Sequence, residues 1–180
     1  ATETDMEAIF LNTSPNRIFV TDEGIASLWN LETQSQIWET QLASNKVSAM
    51  ASSHDGALIA IVLNDAVSIL DAETGESVGQ YLIDDVFDQV AFSLDNSLII
   101  LPKTNEPEVE IVNWETGREV AELLGHDAIV SDMAFLSDGQ RMVTSSEDTT
   151  VILWDMETGE RLNQLEHDLN VFHISLSPDE

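Results

Sequence analysis

The sequence predicts an all-β protein built from copies of one antiparallel four-stranded unit. An apolar run followed by a short polar turn recurs four times, as SLWNLETQS, SILDAETGES, EIVNWETGRE and VILWDMETGE. Aligning these stretches superposes Trp29, Leu70, Val112 and Trp154, which follow one another at spacings of 41, 42 and 42 residues. A nearly constant spacing over most of the chain indicates a repeat protein.

A second marker has the same spacing and lies between two apolar runs of each unit. This marker is a polar turn. Its sequence is SPNR (14–17), SHDG (53–56), SLDN (93–96) and LSDG (136–139) in the four units, and a fifth copy, SPDE, lies at 177–180. Asp, Asn and Gly provide the left-handed and side-chain-bonded geometries that a tight reversal needs. The turn therefore predicts a hairpin between the first and second strands of each unit.

Within the fourth unit, the segments 129–136, 140–146, 150–155 and 161–166 alternate in polarity as short strands do. A four-stranded meander of this kind buries its faces only against its neighbours, and stacked copies form a β-propeller. We expect blades at about 6–43, 46–83, 86–124 and 128–166. Residues 169–180 are expected to begin a fifth blade with its first strand.

The fourth unit resembles a repeat of the tryptophan–aspartate (WD) β-propeller family. It has Gly125-His126 before its first strand, Thr144 in the second, Asp148 in the next turn and Trp154 at the end of the third. The resemblance implies a hydrogen-bonded network of His126, Thr144, Asp148 and Trp154. Its implied role is structural, although a hydroxyl beside His and Asp imitates a catalytic triad.

The other three units retain only part of this signature. At the place of the fourth unit's threonine we predict Phe19, Ala60 and Pro102. The first unit, with Asn30 followed by Trp38, also resembles the tryptophan-docking repeat of quinoprotein-like propellers, in which Trp packs onto the next blade. The Gly-His pair together with Asp and Trp in the fourth unit favours the WD interpretation.

The charge of the chain restricts its partners. It has 34 acidic and 6 basic residues, a formal net charge of −28 and no cysteine. Phosphates would be repelled, so we expect no nucleic acid as partner, and no apolar run approaches the roughly 20 residues that span a bilayer. No motif indicates a cofactor, and the acidic stretch 84–88 lacks the spacing of a calcium loop.

The acid excess fits a halophilic or marine bacterial source, where salt screens self-repulsion, and equally fits an ordinary acidic surface. We expect a soluble protein, either cytoplasmic or, after removal of a signal, periplasmic or extracellular. The chain begins ATETD, without an initiator Met, which fits a processed form or a piece of a longer chain.

In a propeller, the turns between second and third strands and the loops between blades share one face. The predicted rim of that face contains Glu23, Asp65, Asp85, Asp127 and Glu147. We therefore predict a non-enzymatic scaffold that presents an acidic rim to a basic protein or peptide. The alternatives are a quinoprotein-like or lactonase-like propeller with a ligand in its channel, and a purely structural module of a larger chain.

The predicted ring is incomplete. His167-Asp168 repeats His126-Asp127, and VFHISL (171–176) resembles another first strand, but no second strand follows it. Three hypotheses account for this: a fragment of a longer propeller, a homo-oligomer in which two copies complete one ring, or a self-closed ring of four blades.

Overall fold

The computed structural model describes residues 7–177, and these contain sixteen β-strands and no helix. Blade 1 contains β1 (Glu7–Leu11), β2 (Ser14–Asp22), β3 (Ile25–Asn30) and β4 (Ser35–Gln41). Blade 2 contains β5 (Val47–Ser52), β6 (Leu58–Leu63), β7 (Ala66–Asp71) and β8 (Ser77–Leu82). Blade 3 contains β9 (Ala91–Phe92), β10 (Leu98–Pro102), β11 (Val109–Asn113) and β12 (Arg118–Leu123). Blade 4 contains β13 (Val130–Phe135), β14 (Arg141–Ser146), β15 (Thr150–Asp155) and β16 (Arg161–Glu166).

Each blade is a separate antiparallel sheet whose strands pair in chain order. This confirms the predicted all-β fold with four-stranded propeller blades. No helix among the described residues is long and apolar enough to cross a membrane. The beginning of the predicted first blade, at residue 6, and most of the fifth polar turn, residues 178–180, lie outside the described residues.

The turn between the third and fourth strands is built identically in the four blades. An Asn or Asp side-chain Oδ1 at the end of the third strand accepts a hydrogen bond from the backbone N–H three residues later. The distances are 3.0 Å for Asn30, 2.8 Å for Asp71, 3.0 Å for Asn113 and 2.9 Å for Asp155. The residue after that donor has a positive φ, and it is Gln34, Gly75, Gly117 or Gly159. This geometry explains the recurring Thr-Gly of the repeat.

Three apolar cores hold the blades together, one between each pair of neighbours. We call the face of a blade that contacts the following blade its leading face, and the opposite face its trailing face. The third strand of each leading face contributes two buried residues, and the second of them is Leu28, Ile69 or Ile111. In blades 2 to 4 the next residue of the third strand lies on the trailing face and is also buried; it is Leu70, Val112 or Trp154.

Trp38 fastens blade 1 to blade 2. Its indole Nε1 donates to the backbone oxygen of Ala72 at 3.0 Å. The ring covers Gly75, where an added Cβ would lie 2.5 Å from Trp38 Cε3. Blade 1 therefore uses a tryptophan to dock on the next blade, in the manner suggested by the resemblance to tryptophan-docking repeats.

The strand register corrects one prediction. Thr144 pairs with Ile152, and the same row of the other blades is occupied by Val20, Ile61 and Leu101. The predicted positions Phe19, Ala60 and Pro102 are wrong by one residue. The reason is that the turn between second and third strands has two residues in blades 1 and 2, six in blade 3 and three in blade 4, so constant spacing does not preserve register across it.

After β16 the described chain, residues 167–177, is assigned to no strand. Val171 N donates to Ser146 O at 3.1 Å, and Ile174 N donates to Asp132 Oδ2 at 3.0 Å. Leu169 and Phe172 remain 78% and 53% exposed. This segment lies against blade 4 without a second strand beside it, and a fifth blade stays a prediction.

Candidate functional site

Blade 4 brings together the four residues predicted to form a network. Trp154 Nε1 donates to Thr144 Oγ1 at 2.7 Å, and His126 Nε2 lies 2.7 Å from the same oxygen. His126 Nδ1 lies 2.9 Å from Asp148 Oδ2. An ionised carboxylate can only accept, so Nδ1 carries a proton. In the neutral ring, Nε2 then accepts from the Thr144 hydroxyl, and every polar atom of the chain of bonds is satisfied.

Asp148 connects this network to two segments of backbone. Its carboxylate accepts from Asp127 N at 2.8 Å, from Thr150 N at 2.8 Å and from Thr150 Oγ1 at 2.7 Å. Burial alone would raise the pKa of Asp148, but these bonds and the one from His126 outweigh it and lower the pKa to about 2. Sequence reasoning missed Thr150, whose signal is its place two residues after Asp148, where a hydroxyl can bond back to the carboxylate.

The network is closed to solvent. Thr144 is fully buried, Trp154 is 1% exposed and His126 is 5% exposed. The hydroxyl is also occupied, because it bonds both the indole and the imidazole. A nucleophile must reach its substrate, so this geometry favours a structural role over triad chemistry.

A family model for the WD40 repeat, described as WD domain, G-beta repeat, matches residues 117–155. The match runs from the turn before β12 to the end of β15, and so includes the last strand of blade 3 and the first three strands of blade 4. All four network residues lie within it. The chain therefore contains a WD repeat at residues 117–155. Repeats of this family generally serve as protein-interaction scaffolds.

The rim of the WD-repeat chain lies where the turns after second strands meet the loops between blades. Glu147 N donates to Ile129 O at 3.0 Å, and Ile83 N donates to Asp65 O at 3.1 Å, which joins turn and loop in blades 4 and 2. Four of the five predicted rim residues are exposed at this edge: Glu23, Asp65, Asp127 and Glu147. No described side chain forms an ion pair with any of these four carboxylates.

Asp85, the fifth predicted rim residue, differs because it pairs with Lys103. The Lys103 ammonium lies within 3.6 Å of five carboxylates, and its side chain is only 12% exposed. These belong to Asp85, Glu106, Glu108, Glu110 and Glu122. A hydrogen bond with Glu108 is the main cause that raises the pKa of Lys103. One positive charge cannot neutralise five carboxylates, so this Lys103 cluster leaves the rim acidic.

The opposite face is acidic too, and it is the face with the arginines of the chain. All four arginines lie at or near that end of the blades: Arg17, Arg118, Arg141 and Arg161. Arg17 pairs with Glu73, and Arg141 pairs with Asp138. Backbone hydrogen bonds lower the pKa values of turn aspartates there, Asp55 and Asp71 among them. The two faces therefore differ in their basic residues, which are four arginines at this face and two lysines at the rim.

A third surface feature is a cleft of about 370 Å³ beside the first strands. Glu7, Asp88 and Asp132 line it from three different blades, together with Gln89 and no His, Lys or Arg. Asp132 already accepts from Met133 N and Ile174 N. Among residues 7–177, no group of three His, Asp or Glu side chains is arranged to hold a metal ion.

Proposed function

We propose that this WD-repeat chain is a non-enzymatic scaffold whose acidic rim binds a basic segment of a partner protein or peptide. The acidic rim consists of Glu23, Asp65, Asp127 and Glu147, with Asp85 in the Lys103 cluster beside them. The observation that carries the proposal is the separation of charge. The rim has exposed, unpaired carboxylates and only two lysines, whereas the four arginines are at the other face.

Electrostatics determine what such a rim can do. An exposed ion pair contributes only about 0.2–1 kcal/mol, so a single Lys or Arg would bind weakly. A partner with several basic residues would contact several blades at once, and the summed field would also accelerate its encounter with the rim. Because salt screens exposed charges beyond about 10 Å, the binding should weaken steeply with ionic strength.

The test uses a fluorescein-labelled octalysine peptide as the probe, with fluorescence anisotropy as the measurement. The rim variant carries Asp127→Lys and Glu147→Lys, which leave the backbone bonds of both residues in place. The matched control carries Glu115→Lys and Glu157→Lys, two exposed acids of the opposite face. Both double variants change the net charge by the same amount, so general attraction to an acidic protein cancels between them.

We expect the rim variant to weaken octalysine binding at least about tenfold, which corresponds to about 1.4 kcal/mol, and the control to weaken it about twofold. Raising NaCl from about 20 mM to about 300 mM should abolish the difference by screening. Equal effects of the two double variants would refute the rim as the binding surface.

A further inference from the structure

Two junctions between blades carry exposed aliphatic side chains at the rim. At the junction of blades 2 and 3, Leu82 is 80% exposed and Val86 is 58% exposed. At the junction of blades 3 and 4, Leu124 is 60% exposed and Ile129 is 36% exposed. Each junction has a described blade on both sides, so the exposure of these side chains is a property of the junctions themselves.

The two leucines occupy equivalent places at the ends of the last strands of blades 2 and 3. Leu82 lies three residues after Gly79, and Leu124 lies three residues after Ala121. The third-strand residues that pair with Gly79 and Ala121 are equivalent in the two blades. In blade 1 the same position is occupied by Gln41, so an exposed leucine there distinguishes these two junctions.

Val86 and Ile129 are equivalent as well, at the entry to the following blade. Each accepts a backbone hydrogen bond from the turn after the second strand. Thr104 N donates to Val86 O at 2.9 Å, and Glu147 N donates to Ile129 O at 3.0 Å. These bonds hold both aliphatic residues beside the turns that form the rim. At the entry to blade 2 the corresponding residue is Lys46, which is basic.

An exposed aspartate lies between the two aliphatic residues of each junction. The stretch 82–86 has the sequence LIDDV, and the stretch 124–129 has the sequence LGHDAI. Asp84 and Asp127 are both exposed, and neither forms an ion pair with a described side chain. We call each set a rim triplet: Leu82, Asp84 and Val86 in the first, and Leu124, Asp127 and Ile129 in the second.

We propose that the two rim triplets bind an amphipathic basic segment of the partner, in which lysine or arginine residues are interspersed with aliphatic ones. This inference rests on the proposed function and specifies the partner of the same rim. The carboxylates attract the basic side chains, and aliphatic partner residues remove the exposed aliphatic side chains of the rim from water. Because the triplets lie on either side of blade 3, an extended segment that crosses this blade meets both.

Charge favours a basic segment over other surfaces that could cover the triplets. A second copy of this chain has the same net charge of −28, and an anionic membrane surface is negative as well, so both are repelled. An uncharged apolar segment would cover the aliphatic side chains but would desolvate the carboxylates of Asp84 and Asp127 without pairing them, which costs free energy. An amphipathic basic segment satisfies both kinds of group.

The two contributions to binding respond differently to salt. Exposed ion pairs are individually weak and are screened as the ionic strength rises. Burial of aliphatic surface does not depend on charge and is not screened. A partner with aliphatic residues should therefore keep its advantage over a purely basic partner when salt weakens the binding of both.

The test compares two fluorescein-labelled peptides by fluorescence anisotropy: four repeats of Lys-Lys-Leu and four repeats of Lys-Lys-Ser. Both have eight lysines, so only the leucines distinguish them, and either chain reaches about 40 Å when extended. The rim variant carries Leu82→Ser and Leu124→Ser. The matched control carries Val78→Ser and Val120→Ser, which lie four residues earlier on the same two strands and are 49% and 53% exposed.

We expect the wild-type chain to bind the Lys-Lys-Leu peptide about tenfold more tightly than the Lys-Lys-Ser peptide. This ratio should persist when NaCl rises from about 20 mM to about 150 mM, although both peptides bind more weakly. Leu82→Ser with Leu124→Ser should abolish the preference and change the affinity for the Lys-Lys-Ser peptide by less than about twofold, because the carboxylates stay in place. Both leucines are largely exposed, so their replacement removes little buried apolar surface. The control should retain the preference.

Three results would overturn the proposal: equal binding of the two peptides by the wild-type chain, a leucine preference that survives the rim substitutions, or a preference lost equally in the control. The Lys-Lys-Ser peptide separates this proposal from the proposed function. If Asp127→Lys with Glu147→Lys weakens its binding but leucine adds nothing, the rim binds basic segments and only the amphipathic partner is wrong. If that charge reversal has no more effect than Glu115→Lys with Glu157→Lys, both proposals fail.

Discussion

Replacing Thr144 by valine tests whether the buried network stabilises blade 4. Thr144 Oγ1 bonds both Trp154 Nε1 and His126 Nε2, each at 2.7 Å. Valine has nearly the same shape but no hydroxyl. The strand tolerates apolar side chains in this row, because the same row contains Val20, Ile61 and Leu101 in the other blades. The substitution therefore isolates the hydrogen bonds from the packing.

The expected cost follows from the two groups left without a partner. The Trp154 indole is 1% exposed and His126 is 5% exposed, so water reaches neither group easily. Leaving a buried polar group unsatisfied costs about 1–3 kcal/mol. We expect the free energy of unfolding to fall by about 2–5 kcal/mol, and the melting temperature to fall by about 2–4 °C for each kcal/mol.

Urea unfolding followed by far-UV circular dichroism measures this change, with the transition midpoint compared at a common slope. Thr21→Val is the matched control. Thr21 is 2% exposed and its Oγ1 has no hydrogen-bond partner among the described residues, so its loss should be neutral or slightly stabilising. Combining Thr144→Val with Trp154→Phe completes a double-mutant cycle, and we expect a coupling of about 1–2 kcal/mol.

The reasoning would be refuted if Thr144→Val and Thr21→Val changed the free energy of unfolding equally. It would also be refuted if the cycle showed no coupling between Thr144 and Trp154. Either result would mean that the bonds at Thr144 Oγ1 contribute nothing beyond packing, and that the WD signature of blade 4 does not stabilise it.

Two further substitutions test the network and the blade contacts. The pKa of Asp148 is about 2 in the folded chain, against an ordinary value of 3.8. The charged carboxylate therefore stabilises the fold above about pH 4 by an amount on the order of 2 kcal/mol. This contribution is lost as the pH falls through 2. Asp148→Asn should therefore differ most from wild type at neutral pH and least near pH 2 in urea titrations, and a constant difference would contradict this. Gly75→Ala should destabilise more than Gly159→Ala by about 1–3 kcal/mol, because both have positive φ but only the former Cβ meets an indole, 2.5 Å from Trp38 Cε3. Equal losses in thermal melts would show that Trp38 moves aside freely.

Local motifs account for what could be predicted from the sequence. The Asn or Asp that ends each third strand bonds the backbone three residues later, so the turn chemistry is contained within a few residues and repeats with the period. The network residues were identifiable for the same reason, since His126, Thr144 and Asp148 occupy fixed places in one unit. Thr150 was not predicted as a network residue, because a threonine two residues after an aspartate is common outside such networks.

Register and charge pairing could not be predicted in the same way. Turns of two, three and six residues shift the second strand against the third, so Val20, and not Phe19, lies level with Thr144. The Lys103 cluster also includes two carboxylates that are distant from Lys103 in sequence, those of Asp85 and Glu122. The sequence predicted Asp85 as an ordinary rim residue, because no local pattern around Asp85 indicates its contact with the Lys103 ammonium.

The repeat, the four-stranded unit, the turn chemistry and the four predicted network residues follow from the amino-acid sequence alone, because each depends on contacts within about one period. Which of the equivalent residues are buried depends on how the blades pack. Trp29 and Trp154 occupy the same position, yet one is 37% exposed and the other 1%, because burial of a blade face depends on the neighbour packed against it and not on the strand that bears the residue.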